Sequence, residues 1–366
     1  MPTSFDSTSF DIAASTGSYS VSVAPGSFDA MLSSYPQAVV IADAFFADRL
    51  AAAGIDPILI VAEEPAKELD RIADIMMALR DRGAGRGTML IAVGGGVVQD
   101  IAAFAASIYM RGVDWTFVPT TMLAMTDSCI GGKSSINVGR YKNLVGTFHP
   151  PVAVQIDPHV TATLTVEARV AGLMEAAKIS FCKGPACFDE YLTTGPSTAA
   201  DAETLASIIA LSLRAKSWFI EIDEFDRAER LLLNFGHTFG HAIESASRFA
   251  VSHGIAVGLG MLAALDLGSR LGRDYGGAPR VARLRAHVQD LLAQVDGLDS
   301  VLARLDPDVL MDAFRSDKKH SRSDYAVIVV TPRGDVERII LPRDAASEAM
   351  LHHGFAAVKD RARLGT

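Results

Sequence analysis

The stretch IAVGGGVVQDIAAFAA, residues 91–106, runs from an apolar segment through three glycines into a helical pattern. The apolar start reads as a buried strand, and the spacing of apolar residues after the glycines reads as a helix. Three glycines let the backbone approach a ligand without interference from a Cβ atom. Exposed N–H groups at the start of a helix favour a phosphate or pyrophosphate. The run meets the G-x-G-x-x-G dinucleotide fingerprint only in part, so a tight turn that binds nothing stays open on these residues alone.

The flanking segments continue the alternation. YSVSV (19–23) alternates like a strand, and QAVVIAD (37–43), PILIVAE (57–63) and TMLIAVGGG (88–96) are short apolar runs closed by Asp, Glu or Gly. Between the last two, AKELDRIADIMMALRDRG (66–83) has apolar residues at three- and four-residue steps, with Gly83 as a stop. Strands alternating with helices predict an α/β fold with a parallel sheet covered on both faces. After HPPVAVQIDP (149–158) the pattern turns mostly helical, through LASIIALSLRAKSWFIEIDE (205–224), HGIAVGLGMLAALDLGSRLG (253–272) and VARLRAHVQDLLAQV (281–295). One late hairpin is expected in YAVIVVTPRGDVERIIL (325–341), turning on Pro-Arg-Gly-Asp. The organisation expected is a Ser/Thr-rich N-terminal tail over 1–20, an α/β domain over 21–158 and a mostly α-helical C-terminal domain over 159–366.

Of the 366 residues, 49% are apolar and 21% charged, which fits a soluble globular protein with room for two domains. No apolar run reaches the length of a bilayer span, so no membrane partner is expected. The N-terminus lacks the basic start and apolar block of a secretory signal. A formal net charge of −9 argues against nucleic acid as a partner, yet an anionic small molecule can be held by cations gathered in one place. Cys129, Cys182 and Cys187 are too few for a disulfide framework and point to a reducing cytoplasm.

In NFGHTFGHAIESA (234–246), His237 and His241 stand four apart and share one helix face. Such a pair suits a zinc site and equally suits two half-buried, hydrogen-bonded rings. In VPTTMLAMTDSCIGGKSSIN (118–137), Pro119 ends a strand, Thr120 and Thr121 offer hydroxyls near the same sheet edge, and Asp127 and Lys133 flank paired glycines. Cations recur at Arg111, Lys142 beside Asn143, Lys178, Lys216, Arg230, Lys318 and Lys319, each of which reads alone as surface charge.

Taken in order, GGGVVQD, YMRGV, VPTTMLAMTDSCIGGKSSIN, KNLVGTFHPP, MEAAK, RLLLNFGHTFGHAIE, HGIAVGLGM and DKK resemble the 3-dehydroquinate synthases, within the sugar phosphate cyclases. The resemblance spans about residues 40–330. It implies a Rossmann-like, dinucleotide-binding α/β domain over 21–158 that holds NAD tightly, a metal- and substrate-binding helical domain over 159–366, a zinc ion that cobalt could replace, and a homodimer. It implies Glu175, His237 and His253 as metal ligands, with His241 facing the substrate instead. Cofactor contacts carry over to Asp43, Glu64, Lys67, Gly95, Gly96, Asp100, Thr120 and Thr121, joined by Asp127, Lys133 and Lys142. Substrate contacts carry over to Arg111, Asp127, Lys133, Lys142, Asn143, Lys178, Lys216, Arg230, Asn234, His241 and one of Lys318 or Lys319. Catalytic work is expected of Lys178, His241, Asn234, Arg230 and Lys133.

The reaction so implied converts 3-deoxy-D-arabino-heptulosonate 7-phosphate into 3-dehydroquinate and phosphate, through oxidation, elimination, reduction, ring opening and aldol closure. A gathering of Lys and Arg suits a substrate that carries both a carboxylate and a phosphate. The chain departs from the family's pattern in three places: Gln99 where Gly is usual, the pair Ser134-Ser135 where Thr-Gly is familiar, and Ile255 where Glu is usual. Gln99 could crowd the helix–sheet contact or touch the cofactor, and the serines could change the loop around Lys133. Ile255 would lower metal affinity if the usual Glu orients a ligand. These departures keep open a divergent cyclase of secondary metabolism, acting on an amino analogue, on sedoheptulose 7-phosphate or on glucose 6-phosphate. GGK, Arg230 and Asn234 favour the carboxylate-bearing heptulosonate. From other classes stand a metal-using NAD alcohol or glycerol dehydrogenase and a non-catalytic homologue.

Overall fold

A computed structural model of the chain describes residues 7–139 and 141–359. Two compact units divide it: one runs to Leu164 and takes back Asp201–Glu224, and the other holds Thr165–Ala200 and the chain from Phe225 onward.

The first unit is built on seven strands: β1 (Thr8–Ala14), β2 (Gly17–Val23), β3 (Val39–Asp43), β4 (Ile58–Ile60), β5 (Leu90–Gly94), β6 (Trp115–Pro119) and β9 (Ala153–Ile156). A separate hairpin pairs β7 (Ile136–Val138) with β8 (Tyr141–Val145). The sheet order is β1-β2-β9-β6-β5-β3-β4. Every pairing from β2 to β4 is parallel, and β1 alone is antiparallel, joined to β2 as an edge hairpin. All five residues of β5 and of β6 are buried, as the unbroken apolar runs of strands covered on both faces require. The expected parallel α/β sheet is therefore present.

The direction of strand addition reverses beside β3. The chain runs from β3 out to β4, then returns to β5 on the other flank of β3 and moves on to β6. In open α/β sheets, ligands settle outside the carboxyl ends of the strands at such a reversal. Asp43 ends β3 and Gly94 ends β5, in strands whose register pairs Ala42 with Val93.

Two expectations about organisation need correction. Residues 8–14, read as part of a tail, form edge strand β1 in full register with β2, from Thr8↔Val23 to Ala14↔Gly17. Ile12 is its one buried residue, so the segment keeps a polar composition while pairing like any strand. Residues 1–6 of that expected tail lie outside the described residues. The Ala202–Ile222 helix, read as part of the helical domain, belongs to the sheet unit, where it packs on β1 and β2. Its buried stripe of Leu205, Ile208, Ile209, Leu213 and Phe219 marks it as amphipathic without naming the surface it covers.

The second unit is helical, with the expected late hairpin formed by β10 (Asp324–Val330) and β11 (Val336–Pro342). Its centre is the His253–Arg270 helix, buried without a break from Gly254 to Leu265. Glycines let that helix approach its neighbours backbone to backbone. A Cβ at Gly254 would overlap the carbonyl of Ala171, and one at Gly258 would lie 2.7 Å from Met174 Sδ. The Val166–Lys183 helix is thereby drawn close, starting from a Thr165 side chain that accepts from Ala168 N at 3.2 Å and stopping at Gly184. The His237–Ala246 helix starts at Gly236, whose left-handed φ of 79° favours glycine and whose Cβ would meet Val257 O at 2.6 Å. Among the described residues, no helix is long and apolar enough to cross a membrane.

Candidate active site

In the sheet unit, the glycine turn opens the Gly96–Ile108 helix directly from the end of β5. No side chain caps that helix at its N-terminus. Thr120 N donates to Gly94 O at 2.9 Å, and a Cβ at Gly95 would strike Thr121 Cγ2 at 2.7 Å. The paired threonines thus lie against the glycine turn. A Cβ at Gly96 would meet nothing within 4 Å, so the backbone there is open to a close-approaching group.

Beside the turn a polar network closes around Lys67. Its ammonium lies 2.8 Å from Asp100 Oδ2, donates to Asn143 Oδ1 at 2.9 Å, and stands 3.7 Å from Glu64 Oε1. Lys142 approaches the same Glu64 oxygen at 3.5 Å, and Asn137 Nδ2 donates to it at 2.9 Å. Ser135 N donates to Asp100 Oδ1 at 3.0 Å. Burial pushes the Asp100 carboxyl up to about 6, with Lys67 pulling the other way. Glu64, Lys67, Asp100, Lys142 and Asn143 are therefore brought together. Asp43 accepts from Phe45 N at 3.1 Å and caps the turn after β3.

A second cluster centres on the π-helical turn Ala124–Ser128. Lys216 Nζ donates to the Asp127 carbonyl at 2.6 Å, lies 2.7 Å from Asp127 Oδ1 and reaches Ile130 O at 3.4 Å. On the other side Gln99 Nε2 donates to Ser128 O, and Ser128 Oγ donates to Gln99 Oε1, both at 2.6 Å. Gln99 is 4% exposed, and its side chain ties the glycine-turn helix to the Asp127 turn. Ser134 forms a backbone and side-chain staple with Thr147, at 3.0 Å from Ser134 N to Thr147 O and 2.9 Å from Thr147 N to Ser134 Oγ. Lys133 extends over the Phe148 ring at 5.9 Å. Arg111 is exposed in a turn of positive φ that follows the Gly96–Ile108 helix. That is the end of the helix away from the glycines, about 20 Å along its axis.

In the helical unit, three elements aim side chains at Glu175. This residue is fully buried on the Val166–Lys183 helix. Its Oε1 lies 3.3 Å from His253 Nε2 and 3.8 Å from His237 Nε2, and its Oε2 meets the Lys178 ammonium. One ligand atom from each of Glu175, His237 and His253 falls within 4.8 Å of the other two. The opposite ring nitrogens point elsewhere: His253 Nδ1 to Glu244 Oε2 at 3.0 Å, and His237 Nδ1 to Phe235 O at 3.4 Å.

This donor set fits a divalent ion. Neither Glu175 oxygen accepts a hydrogen bond of good geometry, although both are fully buried, so the carboxylate depends on nearby charge: the Lys178 ammonium lies at Oε2, and a cation held between Oε1 and the two Nε2 atoms would add to it. One carboxylate and two imidazoles, with second-nitrogen contacts that aim the rings, are the ligands and the supporting shell that zinc or cobalt takes. Burial and the nearby Lys178 hold His237 well below the ordinary histidine range, so its Nε2 keeps a lone pair. Burial acts the same way on His253, but Glu175 and Glu244 outweigh it and push that ring up to about 10. Metal uptake would displace this proton.

His241 takes a different direction from its helix neighbour. Its Nδ1 lies 3.1 Å from Asp317 Oδ2 and 3.4 Å from Lys319 Nζ. A grouping of His241 with Glu244 and His253 also falls within 4.8 Å, but Glu244 is already bonded to His253 there. Lys319 thus faces the cluster, whereas Lys318 is exposed. Arg230 is buried, and Asn234 Nδ2 donates within its own turn, to Leu231 O at 3.0 Å. Glu244 and Asp317 carry no role in the sequence reading, although both lie inside the quoted motifs GHAIE and DKK. Ile255 is buried at 1% exposure, and Glu244 supplies the carboxylate that aims His253.

Similarity to known proteins covers most of the chain. The model of the 3-dehydroquinate synthase N-terminal domain matches residues 57–171, and that of the C-terminal domain matches 172–320. A 3-dehydroquinate synthase of Rhodospirillum rubrum is 37% identical, across 93% of this chain and 92% of that protein. One from Xylella fastidiosa is 37% identical across 79% of each. The solved structure of ValA (2-epi-5-epi-valiolone synthase) from Streptomyces hygroscopicus, with NAD+ and Zn2+ bound, superimposes with a TM-score of 0.78. It is 26% identical, covering 95% of this chain and 99% of that one. With two domain models meeting end to end and relatives aligned over most of both lengths, the chain belongs to the 3-dehydroquinate synthase family.

Proposed function

We propose that the protein is a 3-dehydroquinate synthase, converting 3-deoxy-D-arabino-heptulosonate 7-phosphate into 3-dehydroquinate and phosphate, in the cytoplasm and as a homodimer. The observation that carries this reading is the convergence of Glu175, His237 and His253 in a chain of this family. Glu175 and the two Nε2 atoms would hold zinc or cobalt. Asp43 and Gly94–Gly96, with Thr120, Thr121 and the Glu64–Lys67–Asp100 network, would hold NAD. When bound, NAD supplies a hydride acceptor and donor, and the metal supplies a Lewis acid.

The chain's own residues bind, orient and move protons. Lys178, Arg230 and Lys319 in the helical unit, and Lys133 and Lys142 in the sheet unit, are cations of the kind that suits a substrate with a carboxylate and a phosphate, whereas Arg111 lies at the end of its helix away from the glycines. His241 is the residue for proton transfer, with Lys178 and Asn234 supporting it. General acid–base work by such a group contributes about 10²–10⁴-fold. Lys216, with its contacts to Asp127 and Ile130, fixes the Asp127 turn.

The test is phosphate release from a panel of sugar phosphates, with NAD and Zn²⁺ present and NADH followed at the same time. The heptulosonate phosphate should release phosphate and yield dehydroquinate with no net NADH. Faster release from sedoheptulose 7-phosphate or glucose 6-phosphate would move the assignment to another cyclase. Net NADH from a polyol would replace it with a dehydrogenase.

A further inference from the structure

Asp317 is locked before it meets any histidine. It follows the Pro307–Arg315 helix on a turn in which its own N–H donates to Phe314 O at 3.2 Å and its Oδ1 accepts from Lys319 N at 2.9 Å. Its side chain is only 5% exposed, and the remaining oxygen, Oδ2, stands 3.1 Å from His241 Nδ1. The Lys319 ammonium competes for the same nitrogen, 3.4 Å from His241 Nδ1 and 3.5 Å from Asp317 Oδ2.

The two neighbours make opposite demands. A carboxylate only accepts, so it requires Nδ1 to carry the proton; an ammonium only donates, so it requires a lone pair there. The shorter contact belongs to the carboxylate. A lone pair on Nδ1 would face the lone pairs of Oδ2 at 3.1 Å, whereas a proton there satisfies the ring and leaves Lys319 to pair with Asp317. We propose that Asp317 is a positioning residue that fixes neutral His241 as its Nδ1–H tautomer, leaving Nε2 as the proton acceptor. This rests on the reading of His241 as the proton-handling group of the synthase. The three imidazoles then follow one rule with two outcomes. Each turns Nδ1 to an oxygen acceptor; His237 and His253 turn Nε2 to Glu175, and His241 keeps Nε2 for the substrate.

The test is long-range ¹H–¹⁵N NMR of histidine-labelled full-length protein, with the His241 signals assigned by their loss in His241→Gln. Wild type should show a protonated Nδ1 and an unprotonated Nε2, and Asp317→Ala should shift the ring toward Nε2–H as Lys319 takes over Nδ1. The same variant should keep its bound metal and its KM within about threefold while kcat falls about 10- to 100-fold, part of the range for general acid–base groups. An Nε2–H tautomer in wild type would overturn the proposal, and needs no variant to fold. So would an unchanged tautomer in Asp317→Ala, or a lower melting temperature as its only effect. Absence of phosphate release by wild type would sink the synthase reading and leave the NMR result to stand or fall alone.

Discussion

His253 is held between two carboxylates: Glu175 Oε1 is 3.3 Å from its Nε2, and Glu244 Oε2 is 3.0 Å from its Nδ1. The first comes from another helix and would share a metal ion with His253, and the second aims the ring. Outer partners of this kind typically contribute 10–100-fold to metal affinity. Glu244→Ala should therefore weaken zinc binding by about 10- to 100-fold in a competition titration against a chromophoric chelator, with the fold intact by circular dichroism. An affinity within twofold of wild type would show that Glu244 does not orient the ligand.

Lys67 joins Asp100, Asn143 and Glu64 next to the glycine turn. Replacing it with Met leaves two acidic groups without their shared cation. The expected outcome is loss of NAD affinity by at least about tenfold, equal to about 1.4 kcal/mol. Calorimetric titration with NAD measures this directly, and unchanged affinity would remove the network from the cofactor site.

The Gln99–Ser128 pair makes two reciprocal hydrogen bonds. Each contributes about 1 kcal/mol net, so Gln99→Ala should cost about 1–3 kcal/mol in urea unfolding. Ser128→Ala should cost less than that, because its carbonyl bond to Gln99 survives. In the double variant the losses should fall short of additivity by at least about 0.5 kcal/mol. Additive losses would mean that the two side chains act separately.

Burial pushes His287 down to about 4, where its Nε2 lies 2.9 Å from the Tyr191 hydroxyl. Unfolding restores an ordinary value of about 6.5. The unfolded chain then binds the proton first as pH falls, so stability is full above about 6.5 and drains away between about 6.5 and 4. The loss attributable to this ring is at most about 3 kcal/mol. His287→Gln should flatten that part of the stability profile relative to wild type; parallel profiles would assign the acid sensitivity to other groups.

Much of the sheet was legible because β3, β5 and β6 are short apolar runs closed by Asp, Gly or Pro, and burial on both faces leaves that mark. Strand β1 was not, because an edge strand with one buried residue reads as polar chain. The Ala202–Ile222 helix was legible as a helix, but an apolar stripe does not say whether a sheet or a helix will cover it. The spacing of His237 and His241 suggests two ligands, yet the rings part company: one turns to Glu175 and the other to Asp317. Motif order, through the family resemblance, names Glu175 and His253 beside His237, and these three side chains converge. The supporting carboxylates Glu244 and Asp317 became visible only in three dimensions, since the partner of an acidic side chain depends on which elements meet. The Ser128 partner of Gln99 lies 29 residues away on another element, a pairing that no local pattern announces.

The most direct measurement is the metal content of purified wild type and of Glu175→Gln, by elemental analysis alongside turnover. The account predicts about one zinc or cobalt ion per chain in wild type, and a trace of metal with no phosphate release in the variant, because two imidazoles without the carboxylate make a poor site. A variant that keeps a full complement of metal and its activity would contradict a centre built on Glu175, His237 and His253.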